Sequence, residues 1–179
     1  MRREIVPNNR EIRLDASEFI VSKTDTRGVI TYANRTFMKI AGYSELELLG
    51  MPHNIVRHAD MPRGVFKLMW STLQAGEEFF GYVKNLCKDG SFYWVLANVT
   101  PDRDAAGHLR GYYSVRRKPS PENLAILIPI YQQMAALEQQ AKGQEAIQRS
   151  QTYLAELLKT KNTDYTSFVL DLVRKDISS

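Results

Sequence analysis

Residues 53–62 place two histidines, one arginine, one aspartate and one asparagine within a single short stretch. Burying so many polar side chains costs free energy unless a polar ligand or the protein itself provides hydrogen-bond partners. The largely apolar residues 65–70 follow and predict a helix, which would form the floor of a pocket beneath the polar segment. The segment therefore predicts a cofactor-binding site. Neither a nucleophilic triad nor a glycine-rich phosphate loop accompanies it, so we expect a cofactor-binding protein with no catalytic or metal-ligating residues, not an enzyme.

The chain of 179 residues is 44% hydrophobic, which suffices for a buried core and fits one ordinary domain with an appendage. Its net charge is +4; residues 1–120 contain eighteen Lys and Arg against thirteen Asp and Glu, and residues 121–179 contain six against seven. The positive excess forms no stripe, which argues against a nucleic-acid partner. It is compatible with an anionic ligand or with scattered solvated charge.

Cys87 is the only cysteine, so the sequence allows neither an intrachain disulfide bond nor a cysteine-based metal site. This predicts a reducing compartment. The first residues lead into a polar stretch instead of the apolar core of a signal peptide, and no run approaches the ~18 apolar residues of a membrane span. We therefore expect a soluble, cytoplasmic protein with no membrane segment in this chain.

Hydrophobic patterning and turn residues predict five strands with helices between the second and the third. Asn34 can cap a helix that ends at Gly42, Ser44 and Glu47 form a capping-box pattern, and a further helix begins near Pro62. The predicted strands cover residues 19–21, 29–32, 79–86, 91–99 and 108–116. This order predicts an α+β fold in which short helices pack on one face of a five-stranded antiparallel sheet.

The loss of strand character after Pro119 marks a domain boundary. We predict a polar lead-in over residues 1–17, a sensor domain over residues 18–120 and a helical signalling or dimerisation extension over residues 121–179. Apolar residues in the extension recur at three- and four-residue intervals, as in amphipathic helices. Pro129 should kink or restart the first of these helices.

The motifs within the predicted sensor domain resemble those of PAS domains. Residues 31–37 and 41–50 are similar to the usual beginning of that fold. Residues 53–62, together with Trp70 and residues 83–85 and 93–95, resemble more narrowly the FAD-binding PAS domain of bacterial aerotaxis receptors. The resemblance covers about residues 18–118.

This resemblance implies a domain that binds FAD non-covalently and reports redox state or oxygen availability to a chemotaxis signalling module. It implies FAD contacts at Arg57, His58, Asp60 and Trp70. Arg57 offers five fixed donors suited to a pyrophosphate, and His58 can donate to a phosphate or a ribose. Asp60 can orient the histidine or accept from a ribose hydroxyl, and Trp70 has a large face for stacking.

The related light-oxygen-voltage photoreceptors extend this comparison to the strands. They place an asparagine against the polar edge of their flavin at the position of Asn85, and they carry Asn and Gln where this chain has Val95 and Arg116. Arg116 would either face solvent or approach the flavin, where it would stabilise a reduced anionic flavin and raise its potential. The helical segment has no cysteine for a photochemical adduct, so the resemblance implies that the site senses electrons and not light.

Two further residues complete the candidate cofactor contacts. Asn34 is retained among them although we predict that it caps a helix, and His53 is retained although a surface or capping position would suit it equally. The sequence leaves two alternatives to a flavin sensor: a haem-binding gas sensor with His58 or His53 as iron ligand, and a cofactor-free PAS module for protein interaction. In each case we expect a homodimer whose output domain or signalling partner lies outside this chain.

Overall fold

Five strands and six α-helices make up the regular structure of a computed structural model that describes residues 5–177. The strands are β1 (Ile20–Asp25), β2 (Ile30–Ala33), β3 (Phe79–Leu86), β4 (Phe92–Arg103) and β5 (Leu109–Arg117). They form one sheet in the order β2-β1-β5-β4-β3. The prediction of an α+β fold with a five-stranded antiparallel sheet is therefore confirmed.

Helices occupy the stretch between β2 and β3 and the whole region after β5. They are α1 (Arg35–Ala41), α2 (Glu45–Leu48), a 3-10 helix (His53–Val56), α3 (Arg63–Gln74), α4 (Pro121–Gln139), α5 (Gly143–Thr160) and α6 (Tyr165–Ile177). None of the helices between residues 5 and 177 combines the length and the hydrophobicity needed to cross a lipid bilayer. The prediction of helices after the last strand is confirmed.

The chain divides into two compact units. The first contains the residues up to His58 together with Val83–Lys118, and the second contains Ala59–Tyr82 together with the residues from Pro119 onward. The first unit holds β1, β2, β4, β5, the second half of β3 and a hydrophobic core built around buried residues such as Phe37 and Tyr93. The second unit holds α3 and the three C-terminal helices.

The pairing of β1 with β5 determines which polar side chains enter the core of the first unit. Ile20 pairs with Arg116 and Ser22 pairs with Ser114, in antiparallel register. Because side chains alternate between the faces of a sheet, the buried Ile20, Ser22 and Arg116 share one face. An apolar strand pattern thus brings a serine and an arginine into the interior.

The helices after β5 depart from the sequence expectation at one point. α4 runs without interruption through Pro129, so the helix is not restarted there. Both Pro129 and Ala125 are exposed, so water can hydrate the carbonyl group of Ala125 that lacks an N–H partner from the proline. The break falls instead between Gln139 and Gly143, and Gly143 adopts a positive φ of 57°.

Candidate functional site

A guanidinium group lies inside the first unit. Arg116, near the end of β5, is 2% exposed, and its side chain lies over the ring of Phe37 with the guanidinium carbon 4.5 Å from the ring centroid. Within residues 5–177, no carboxylate forms an ion pair with it. A buried cation of this kind needs neutral hydrogen-bond partners or an electron-rich ligand to offset its lost hydration.

Ser22 and His53 provide part of that compensation. Arg116 donates through Nη2 to Ser22 Oγ and through Nη1 to His53 Nε2, the latter over 3.3 Å. Ser22 Oγ lies 3.1 Å from the same nitrogen of His53. Because a guanidinium can only donate, Nε2 must be the acceptor and the ring proton is assigned to Nδ1. The ring of His53 also stacks on Phe37, with centroids 5.7 Å apart.

Two donors in this cluster have no hydrogen-bond partner among the described residues. They are Arg116 Nε and the hydroxyl of Tyr93, both of which are shielded from solvent. Buried polar atoms are paired in the great majority of proteins, and an orphan donor costs free energy. Two orphan donors in one apolar core fit a ligand whose edge carries hydrogen-bond acceptors.

The pKa values of the cluster keep these donors protonated. Burial lowers the pKa of Arg116 to about 10, so the guanidinium remains charged at neutral pH. Burial also raises the pKa of Tyr93 above its usual range, partly offset by Arg116, so the hydroxyl keeps its proton. Burial and the charge of Arg116 lower the pKa of His53 to about 3, which makes its ring neutral. The cluster therefore carries one positive charge.

The predicted contacts Arg57, His58 and Asn85 lie close together in the first unit. Arg57 and Asn85 pair in an isolated antiparallel bridge, which joins the residue after the 3-10 helix to β3. His58 is buried and meets the ring of Phe92 edge-on, with centroids 6.0 Å apart. Asn85 is also buried. Three residues chosen from the sequence thus adjoin one another in space.

Asn34 performs the capping role predicted for it. Its Oδ1 accepts from the backbone N–H of Phe37 at the start of α1 and from that of Val21 on β1. Its Nδ2 donates to the carbonyl oxygen of Phe19. The amide therefore ties α1 to β1, and its assignment as a cofactor contact stays a prediction.

Asp60 and Trp70 belong to the second unit. Asp60 is exposed in the turn before α3, and Trp70 is half-buried on α3. Their roles as cofactor contacts also stay predictions.

Ser22 and Tyr93 are the cluster members that sequence reasoning missed. Ser22 lies two residues after the buried Ile20, and Tyr93 lies two residues before the buried Val95, so each shares a strand face with a core residue. Strand alternation could therefore have placed both side chains inside the core. A polar residue in an inward register is the signal that identifies such positions.

Comparison with known proteins agrees with the fold. A profile described as the PAS fold matches residues 30–116. The chain is 44% identical over 117 residues to an aerotaxis receptor from Escherichia coli, which covers 65% of this chain and 23% of the receptor. It is 32% identical over 104 residues to a nitrogen fixation regulatory protein from Klebsiella pneumoniae, which covers 58% of this chain and 21% of that protein.

A solved structure shares the architecture. The light state of the blue-light photoreceptor Aureochrome1 LOV superposes with a TM-score of 0.53 at 26% sequence identity, covering 62% of this chain and 88% of that one. By contrast, the chain spans less than a quarter of the length of the two relatives found by sequence. The matched region is therefore only a part of those proteins.

Proposed function

Because residues 30–116 form a PAS domain, we propose that this domain binds FAD non-covalently and acts as a redox or oxygen sensor, not as an enzyme. The proposal is supported by the resemblance of residues 53–62 to the flavin-binding segment of aerotaxis receptors. It is further supported by the 44% identity over 117 residues to an aerotaxis receptor.

The observation that carries the proposal is the pair of orphan donors at Arg116 and Tyr93. The isoalloxazine ring of a flavin presents carbonyl oxygens and ring nitrogens along one edge, and these are acceptors. Arg116 Nε and the hydroxyl of Tyr93 are buried donors that would pair with such an edge. An apolar core with two unsatisfied donors therefore favours a bound flat ring with acceptors along its edge over a core that contains no ligand.

Further residues have assigned roles in this proposal. Arg57 would hold the pyrophosphate through its guanidinium, and His58 would donate to a phosphate or the ribose. Asn85 would meet the alternating carbonyl and N–H groups of the flavin with its amide. Asp60 would accept from a ribose hydroxyl, and Trp70 would stack its ring on the cofactor, as the resemblance implies.

When bound, FAD supplies reversible redox chemistry, taking up two electrons and one proton from a reduced electron donor and returning them to an oxidant. Arg116 then acts electrostatically. Its charge stabilises an anionic reduced state relative to the neutral oxidised one, which raises the reduction potential. Burial and Arg116 lower the pKa of His53, so among these residues of the chain Arg116 supplies the positive charge.

Covalent photochemistry is excluded from the proposal because of where the cysteine lies. Cys87 is buried just beyond the end of β3, and its thiol donates to the carbonyl oxygen of Ile40 over 3.2 Å. Burial raises the pKa of Cys87, which disfavours the reactive thiolate. A thiol held in this way is a packing residue and not a flavin ligand.

The output step is also a proposal. We infer that the cytoplasmic sensor forms a homodimer and passes its signal to a partner or output domain outside this sequence. The large remainder of each relative offers room for such a module. The helices after β5 are the segment through which that signal would leave the domain.

Absorption spectroscopy of the purified protein tests the proposal. We expect a flavin spectrum near 450 nm, or its appearance after addition of FAD, and release of intact FAD on denaturation. Arg57→Ala and Trp70→Ala should each lower FAD retention, whereas the matched control Arg110→Ala should not, because its side chain is 71% exposed on β5.

The same measurement separates the alternatives. A Soret band would identify a haem sensor, although His53 offers iron a poor ligand because its Nε2 already faces the Arg116 guanidinium. A colourless protein that ignores added FAD and remains a tight dimer would identify an interaction module. Normal FAD retention in both Arg57→Ala and Trp70→Ala would refute the residue assignment while leaving the cofactor in place.

A further inference from the structure

A buried carboxylate on α4 holds the beginning of α3. Glu138 is 8% exposed, and its oxygens accept from the backbone N–H groups of Arg63 at 2.9 Å and Gly64 at 2.8 Å. Arg63 Nε approaches it to 3.3 Å, and Ser150 Oγ on α5 donates to it over 2.7 Å. One side chain from the C-terminal helices thus receives four hydrogen bonds, two of them from backbone N–H groups in the first turn of α3.

This contact replaces a cap that α3 lacks. The residue at its N-cap position is Pro62, which has no side-chain acceptor, and its first turn contains no acidic residue. The first N–H groups of a helix have no intrahelical partner, and the positive end of the helix dipole favours an anion. Glu138 supplies both the acceptors and the charge, so the stability of the first turn of α3 depends on α4.

The packing at this point is unusually close. A Cβ atom added to Gly64 would lie 2.3 Å from Ser150 Oγ, so α5 approaches the backbone of α3 at a position that only glycine allows. Ser150 Oγ has two acceptors within reach, Glu138 and the carbonyl oxygen of Ile147, which share its single hydroxyl proton. A small displacement of the first turn of α3 therefore breaks or strains this cluster.

A second anchor joins the same helices to β3. Asn123 on α4 donates to the hydroxyl of Tyr82 over 2.9 Å and to the carbonyl oxygen of Leu172 on α6 over 3.1 Å. The hydroxyl of Tyr131 lies 3.0 Å from the carbonyl oxygen of Tyr82, to which it donates, and 2.9 Å from the hydroxyl of Tyr165. Tyr82 lies three residues before Asn85 on the same strand.

The Glu138 anchor holds α3 and the anchor at Tyr82 holds β3, and both elements are continuous in sequence with candidate cofactor residues. α3 begins directly after residues 53–62, and β3 carries Asn85. We propose that Glu138 is a positioning residue that couples α4, α5 and α6 to the redox state of the flavin, with the cap on α3 formed in the oxidised protein and weakened by reduction. This inference rests on the proposed function.

The direction follows from the charge at Arg116. In the present structure the guanidinium is bonded to Ser22 and His53 and the cap on α3 is formed. An anionic reduced flavin attracts the guanidinium away from these partners. Reduction should therefore shift the population away from the arrangement in which Arg116 is bonded to Ser22 and His53.

Hydrogen exchange of the full chain loaded with FAD tests the coupling. Exchange of the amides of Arg63 and Gly64 is compared in the oxidised protein and in protein reduced with dithionite. We expect reduction to accelerate their exchange at least tenfold. In Glu138→Gln exchange should be fast in both states, and in the matched control Glu156→Gln, an exposed glutamate on α5, the difference should persist.

The midpoint potential provides a readout that a purely structural cap would not change. If the cap stabilises the oxidised state, its loss raises the potential, by about 30 mV for each tenfold of coupling in a two-electron couple. If Glu138 were merely structural, Glu138→Gln would lower the melting temperature equally in both redox states and leave the midpoint potential unchanged. If Glu138→Gln fails to fold, Ser150→Ala serves as the substitute variant. It removes one of the four bonds and should shift the midpoint potential less, but in the same direction.

The outcomes separate this inference from the proposed function. Protein that binds no FAD overturns both. Protein that binds FAD but shows equal exchange at Arg63 and Gly64 in its two redox states overturns the coupling alone. An unchanged midpoint potential in both Glu138→Gln and Ser150→Ala does the same.

Discussion

Arg57 pairs with Asn85 across an isolated antiparallel bridge, so the residue that follows the 3-10 helix is fixed beside β3. The sequence suggested these two residues for different reasons, one as a pyrophosphate donor and the other as a partner of the flavin edge. Their adjacency supports the proposal that both belong to one site. It also means that a displacement of the backbone at Asn85 would displace Arg57.

Replacing Asn85 with leucine should weaken FAD binding about tenfold to a hundredfold. Asn85 is buried, and leucine has a similar size without the amide that would pair with the flavin. Loss of one or two hydrogen bonds costs about 1.4–2.8 kcal/mol, which corresponds to that range of affinity. Titration of the stripped protein with FAD, followed by flavin fluorescence, measures the change.

Asn98→Leu is the matched control for this experiment. Asn98 on β4 pairs with Val115 on β5. It is the neighbour of the buried Ala97 and so lies on the opposite face of the sheet. It should retain FAD affinity. Equal affinities of wild type and Asn85→Leu would contradict the role of Asn85.

The half-buried His53 should make the protein less stable in mild acid. Burial and Arg116 lower the pKa of His53 from its ordinary value of 6.5 to about 3. Between these values the unfolded chain binds a proton that the folded protein does not, so the free energy of unfolding falls as the pH decreases through this window. The slope has an upper limit of about 1.4 kcal/mol per pH unit, reduced by solvent screening because the residue is only half-buried.

Urea unfolding at pH 7 and pH 5 measures this effect, and two variants isolate it. His53→Gln should lose part of the difference in stability between the two pH values. His108→Gln should keep it, because the side chain of His108 is 78% exposed. A pH dependence that is identical in wild type and His53→Gln would exclude His53 as the titrating group.

Local signals explain which parts of the fold could be predicted from the sequence. The bounds of β3, residues 79–86, were predicted as observed, because a glycine before it and an Asp-Gly turn after it delimit the strand. Asn34 caps α1, and Ser44 forms a capping box with Glu47, both as expected from residue type and spacing alone.

The buried cluster could not be predicted in the same way. The contact of Arg116 with Ser22 exists because β1 lies between β2 and β5, and strand order is a long-range property that residue spacing does not determine. The same applies to Glu138, whose sequence position shows only a glutamate in an amphipathic helix. Its partners Arg63 and Gly64 come from a helix that is distant in the sequence.

Asn34→Ala should lower the free energy of unfolding by about 1 kcal/mol or somewhat more. The typical cost of losing an N-cap side chain is about 1 kcal/mol, and this side chain also bonds to Val21 and Phe19. Because its amide is engaged by the chain, we expect FAD affinity of the folded variant to stay within about twofold of wild type. A large loss of FAD affinity without a loss of stability would instead identify Asn34 as a cofactor contact.

The close approach of α5 to α3 gives a prediction that needs no cofactor. Gly64→Ala should lower the free energy of unfolding by about 1–3 kcal/mol, because the new Cβ meets Ser150 Oγ, and displacing that hydroxyl disrupts the hydrogen bonding that it shares between Glu138 and Ile147. Ser150→Ala removes the obstructing oxygen. In that background the cost of Gly64→Ala should fall by at least about 0.5 kcal/mol, which is the coupling expected of residues in contact. Chemical denaturation of the two single variants and the double variant measures the cycle. If the changes in unfolding free energy were strictly additive, the new Cβ would not meet Ser150. The close packing of α5 against α3 would then be contradicted.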